Sequence, residues 1–179
     1  MRLLLVCVFV TGCSGANRNG DDLGTQDMAM VTPGDMALPP VMVKVNELFP
    51  GGSDPNTDPD WAEIVNLAST SADISGYQVR DSKTSHLMAL PSGTILPAGG
   101  YLVVLCGAVT DGGAPIAGLR FPHGLSASGD EFHLVSPAGD EIDGTTFTTL
   151  AAGKSWGRLP DGTGAFQVLD TPTRGTQNQ

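Results

Sequence analysis

What most limits the fold of this chain is its punctuation. Gly and Pro recur so often that no stretch of 12 or more residues keeps a 3.6-residue apolar period free of them, which leaves helices absent or confined to a single turn. The breaks fall at Pro50-Gly51-Gly52, Pro97 to Gly100, Asp111-Gly112-Gly113, Pro137 to Asp140 and Asp161-Gly162. Between them lie short runs rich in Val, Ile, Leu and aromatic residues, at 41–49, 61–67, 76–80, 101–105, 131–135 and 165–169. Alternation is clean around Val43 and Val45 and less clean at Leu48. Short strands at regular spacing, without intervening helices, predict an all-β protein built as an antiparallel sandwich or barrel.

The first 40 residues read differently. Arg2 precedes eight apolar residues, Leu3 to Val10, and then come Thr11, Gly12 and Cys13. The apolar run is far shorter than the ~20 residues that cross a bilayer as a helix, and its flanks follow the order of an export signal. Val10-Thr11-Gly12-Cys13 resembles the lipobox of bacterial lipoproteins, which implies cleavage before Cys13 and a diacylglyceryl group on its sulfur. The expected organisation is a leader at 1–12, a lipidated spacer at 13–40 and a folded domain at 41–179. Residues 14–40 have no aromatic residue, four Asp, and Gly, Asn, Thr and Pro throughout. Such a segment buries too little apolar surface to offset its ordering entropy, and as a flexible chain it would reach roughly 30 Å. With Cys7 lost and Cys13 acylated, Cys106 alone remains in the domain, so no internal disulfide is expected. Cys106 ends an apolar run and reads as a small buried hydrophobe.

Within 41–179, Trp61 and Trp156 are the expected large anchors of the core. Glu63 stands two residues from Trp61, so both should share a strand face. A carboxylate facing the core needs a partner, and Arg158 or backbone N–H groups are the candidates. Gly153-Lys-Ser-Trp-Gly157 matches the G-x-S-x-G pattern of a nucleophile elbow, but Arg158-Leu-Pro-Asp-Gly162 turns where a helix should follow. All three histidines also precede Ser155, so no hydrolase triad is expected. His86, His123 and His133 are separated by 37 and 10 residues, which is not a metal-ligand spacing, and surface or loop roles are expected for them. Asp54, Asn56, Asp58 and Asp60 alternate like the front half of a calcium loop. Pro59 and Val65 occupy the places of its Gly and bidentate Glu, and Asp or Asn beside Pro equally makes a solvated turn. No cofactor is expected other than calcium at this loop.

Several blocks carry a resemblance. Val43-Lys-Val-Asn-Glu-Leu48, Asp60-Trp-Ala-Glu-Ile-Val-Asn66, Asp73-Ile-Ser-Gly-Tyr-Gln-Val-Arg-Asp81, Leu96 to Val104, Leu125 to Leu134 with Gly139 to Asp143, and Ser155 to Gly162 occur in the order of a lamin-tail domain. Tyr77 stands where that family often has Trp, and 171–178 is looser than its usual ending. The resemblance implies an immunoglobulin-like β-sandwich and a non-enzymatic interaction module, with no catalytic residues.

Charge narrows the partners. Residues 41–179 hold 7 Lys+Arg and 15 Asp+Glu, a net of −8 in a chain of −10. No basic stripe exists to displace counterions from phosphates, so nucleic acid is not an expected ligand. The expectation is an extracytoplasmic lipoprotein held at the cell membrane or outer membrane through Cys13, whose domain binds protein or glycan. An accessory role beside an exported hydrolase or nuclease is the alternative.

Overall fold

The computed structural model describes residues 42–108 and 117–179. The leader, Cys13, the spacer and the Asp111-Gly112-Gly113 break lie outside the described residues. Twelve strands and no helix make up the described part. In chain order they are β1 (Val43–Phe49), β2 (Asp60–Asn66), β3 (Ala72–Asp73), β4 (Gln78–Arg80), β5 (Met88–Ala89), β6 (Ile95–Leu96), β7 (Tyr101–Cys106), β8 (Leu119–Phe121), β9 (Gly129–Val135), β10 (Glu141–Thr148), β11 (Ser155–Leu159) and β12 (Ala165–Leu169). A six-stranded sheet runs β12-β11-β1-β2-β7-β8, a four-stranded sheet runs β10-β9-β4-β5, and β3 pairs with β6. The architecture is the expected immunoglobulin-like sandwich, with one departure from a wholly antiparallel arrangement: β8 runs parallel to β7.

Alternation along the strands fills the space between the sheets. Val43, Val45 and Leu48 of β1, Ala62 and Ile64 of β2, Val104 and Cys106 of β7 and Phe121 of β8 belong to one buried cluster. Val79, Phe132, Leu134 and Phe147 of the four-stranded sheet complete it. The Phe121 and Phe132 rings meet edge to face, with centroids 6.2 Å apart. Cys106 is buried there, and burial drives its thiol far above the ordinary value, so it behaves as a small hydrophobe.

The untidy alternation at Leu48 has a structural cause. The register of β1 against β2 shifts between Val45 and Glu47, a β-bulge. Without it, Glu47 would follow Val43 and Val45 into the sandwich core. With it, Leu48 takes the core side and Glu47 the opposite face. The Val45 N–H donates to Asp143 Oδ2 at 2.9 Å and the Val45 carbonyl accepts from Arg158 Nε at 3.0 Å. Arg158 Nη2 reaches both oxygens of the same Asp143, at 3.1 and 3.2 Å, so one ion pair occupies the backbone at the bulge.

The two tryptophans separate. Trp156 is partly buried against the sandwich core, stacked on Phe166, with its Nε1–H donating to Thr145 Oγ1 at 3.0 Å. Trp61 is buried on the other face of the six-stranded sheet, stacked on Phe49 with centroids 5.6 Å apart. It therefore anchors a second layer and not the space between the sheets.

Candidate functional site

That second layer contains the most unusual chemistry of the described residues. Glu47 and Glu63 are cross-strand partners in the β1–β2 ladder, and both side chains are fully buried. Like charges placed so are destabilising unless each finds donors. Ser155 Oγ and Thr173 Oγ1 donate to Glu47, as does the Thr173 N–H at 3.2 Å. Glu63 accepts from Asn46 Nδ2 at 3.0 Å and from the Gly175 N–H at 2.6 Å. Asn46 Oδ1 in turn accepts from the Gly162 N–H, and Asp161 accepts from the Tyr101 hydroxyl and the Asn178 N–H. The closing segment of the chain is thus folded over the outer face of the sheet. Gly157 allows the close approach, since a Cβ there would lie 2.5 Å from Leu169 Cδ1 and 2.9 Å from Asn178 Nδ2.

Backbone N–H groups were one of the two partners expected for Glu63, and Gly175 supplies one. The other expected partner, Arg158, cannot reach it. Arg158 shares the sandwich face with Trp156, where it meets Asp143 and lies 4.2 Å over the Phe166 ring, while Glu63 faces away. Ser155 of the G-x-S-x-G pattern is on a strand and fully buried, with its hydroxyl committed to Glu47, so it presents no nucleophile.

Burial pushes Glu63 up to about 7 against its two hydrogen bonds, and Glu47 is also raised, first by burial. Between the unfolded-chain value of 4.5 and about 7, the folded Glu63 keeps a proton that the unfolded chain has released. Its contribution is therefore complete below pH 4.5 and is lost as pH rises through 7. For Asp81 burial acts upward, but hydrogen bonds from His86 and the Lys83 N–H and the nearby histidines hold it below its ordinary 3.8, so its contribution fades only in stronger acid. The domain should accordingly melt several degrees higher near pH ~5 than near pH ~8, a difference on the order of 3 kcal/mol or less. Glu63→Gln should remove most of that slope. Melting temperatures by circular dichroism decide it, and a flat or rising profile across this window refutes the assignment.

The acidic loop lies elsewhere, before β2. Asp54 Oδ1 accepts from the Asn56 and Thr57 N–H groups at 2.7 and 3.2 Å, and Asp58 Oδ2 from Ser53 Oγ at 2.8 Å. Asp60 takes the Gly52 N–H on Oδ1 and the Leu125 N–H on Oδ2, at 2.8 and 2.9 Å. These carboxylates bind their own loop and that of Leu125, while Asn56 is buried within the turn. Together with Cys106 and Gly107, the loop lines an open pocket.

The structure brings two histidines together that sequence spacing keeps apart. His86 and His123 stack in parallel, with ring centroids 3.4 Å apart and planes within 2°. Asp81 Oδ2 lies 2.7 Å from His86 Nδ1. Nothing local could have shown this, because the contact joins loops of different sheets. His133 remains apart in β9, beside Glu131 and Glu141.

Among the described residues no helix is long and apolar enough to cross a membrane. No curated protein matches the chain. A family profile described as Lamin Tail Domain matches residues 39–149, which takes in β1 through β10 and agrees with the all-strand sandwich described above. The members of that family are immunoglobulin-like domains, generally without catalytic activity. By this match over more than half its length, and by its fold, the chain belongs to the Lamin Tail Domain family.

Proposed function

We propose that the protein is a lipid-anchored extracytoplasmic lipoprotein whose lamin-tail domain is a non-enzymatic binding module for a protein or glycan ligand. The anchor rests on the sequence Leu3 to Cys13 and the spacer behind it. The binding role rests on one observation in particular. β12 ends the six-stranded sheet with no strand on its outer side among the described residues, and Ala165, Gln167 and Val168 are exposed along it. An open edge of this kind accepts an added strand from a partner, whose backbone supplies the hydrogen bonds. The buried carboxylates, by contrast, are occupied by internal donors and offer nothing to a substrate.

Chemical crosslinking on cells that express the full chain tests both parts. The parent should sediment with membranes and crosslink to a discrete partner. Cys13→Ser should move it to the soluble fraction, and Val168→Lys should leave it membrane-bound but abolish the crosslink. Unchanged fractionation and migration of Cys13→Ser would sink the anchor. An undiminished crosslink with Val168→Lys would sink the edge as the binding surface.

A further inference from the structure

We infer that Asp81, His86 and His123 form a binding site for a divalent transition-metal ion of the zinc class. Asp81 directly follows β4, His86 lies in the turn between β4 and β5, and His123 stands just beyond β8. The three therefore come from both sheets and meet at one end of the sandwich. One potential ligand atom from each lies within 4.8 Å of the other two. Zinc bonds of 2.0–2.1 Å in a tetrahedron set neighbouring ligands about 3.3 Å apart. To admit the ion, the 2.7 Å contact between Asp81 and His86 widens by roughly half an ångström and the stacked rings turn so that their nitrogens converge.

The backbone around the cluster is already fixed. Asp81 Oδ1 accepts the Lys83 N–H at 2.8 Å, which leaves Oδ2 to face the histidines. Arg80 Nη1 holds the Asp81 carbonyl at 2.9 Å, and the His86 N–H donates to the Lys83 carbonyl at 3.0 Å. The His123 carbonyl accepts from the Gly107 N–H at 2.8 Å, and the Phe121 ring packs against its imidazole with centroids 5.1 Å apart. Outer contacts of this kind orient ligands and raise affinity. Among the described residues no hydrogen bond reaches the His123 ring nitrogens, so the ligand atom is free to turn toward an ion.

The donor set selects the ion. Two imidazoles and one carboxylate suit zinc and its neighbours in the transition series, whereas calcium and magnesium take six or more oxygens. Three protein ligands leave one coordination position, which water fills. The bound ion would join the β4–β5 turn to the segment after β8, and so link the two sheets where no disulfide does.

Zinc sulfate titrated into the metal-stripped full chain, in competition with a chromogenic chelator, tests the site. The expected result is one equivalent bound and a melting temperature raised by several degrees. His86→Ala and His123→Ala should each weaken binding on the order of 100-fold or more and remove the thermal shift. Asp81→Asn, which keeps an oxygen for the Lys83 N–H, should weaken binding at least about tenfold while the fold persists. His133→Ala should bind as the parent does. All variants share with the parent everything outside the substituted position, so differences among them report the cluster alone. Absence of zinc binding by the parent, or equal affinity in the parent and Asp81→Asn, overturns the site even where a histidine variant is unstable.

Discussion

A chain cut after Thr149 should not fold, although it contains every residue matched by the family profile. The cut removes β11, which pairs with β1 inside the six-stranded sheet, and β12 beyond it. Leu150 and Leu169, both almost fully buried, are worth about 2–5 kcal/mol each by analogy with large-to-small core changes. Ser155, Thr173 and Gly175 also leave, and with them the donors that the cut removes from Glu47 and Glu63. Each buried acceptor left unsatisfied costs about 1–3 kcal/mol, and more when charged. Arg158 goes too, so the Val45 carbonyl at the bulge loses its donor. Together these losses are comparable to the whole ~5–15 kcal/mol that holds a typical domain together. Far-ultraviolet circular dichroism and a thermal melt are the measurements. A cooperative melt for 39–149 comparable to that of 39–179 would show that β11 and the closing segment are dispensable.

Phe132→Ala should cost about 3–5 kcal/mol and lower the melting temperature by roughly 10 °C or more. Phe132 is fully buried on β9, between β10 and β4, and its ring meets Phe121 from the opposite sheet. Its removal opens a void where the two sheets touch, and backbone ladders on both sides of β9 limit the collapse that could refill it. Phe121→Ala should be similarly harmful. The double variant should lose less than the sum of the two by about 0.5–1.5 kcal/mol, the worth of an edge-to-face pair. Urea unfolding supplies the values. A loss under ~1 kcal/mol for Phe132→Ala would mean that the ring does not fill the core as described.

The sequence made the long, apolar strands legible. The runs at 61–67 and 101–105 differ from β2 and β7 by one residue at a time, because continuous Val, Ile, Leu and Trp between turn formers leave few alternatives. β10 and β11 were not separable by periodicity. β10 carries Gly144 and three Thr within eight residues and has a register shift of its own, and β11 is only five residues long. Glu63 found Asn46 and Gly175 instead of Arg158 because Ala62 and Ile64 take the core side of β2 and turn Glu63 to the outer face, where the bulge in β1 places Glu47 beside it. A single extra residue changes which side chains share a face, and alternation counted along one strand cannot register it. The Asp81, His86 and His123 cluster was hidden for another reason. Its members meet only once two sheets have packed, and no local spacing encodes that. The acidic loop was visible as a motif, yet what its oxygens do depended on which N–H groups the turn would turn inward.

The position of β1 also has a mechanical meaning. Whatever precedes Met42 joins the domain through β1, which is hydrogen-bonded to β2 on one side and β11 on the other. Tension applied from that end loads two ladders, and the Arg158–Asp143 pair holds the Val45 backbone near the start of the strand. An edge strand under the same force would peel away one bond at a time. A strand held from both flanks must break bonds to two neighbours before it leaves the sheet, so the segment before Met42 enters the domain at a strand paired on both sides.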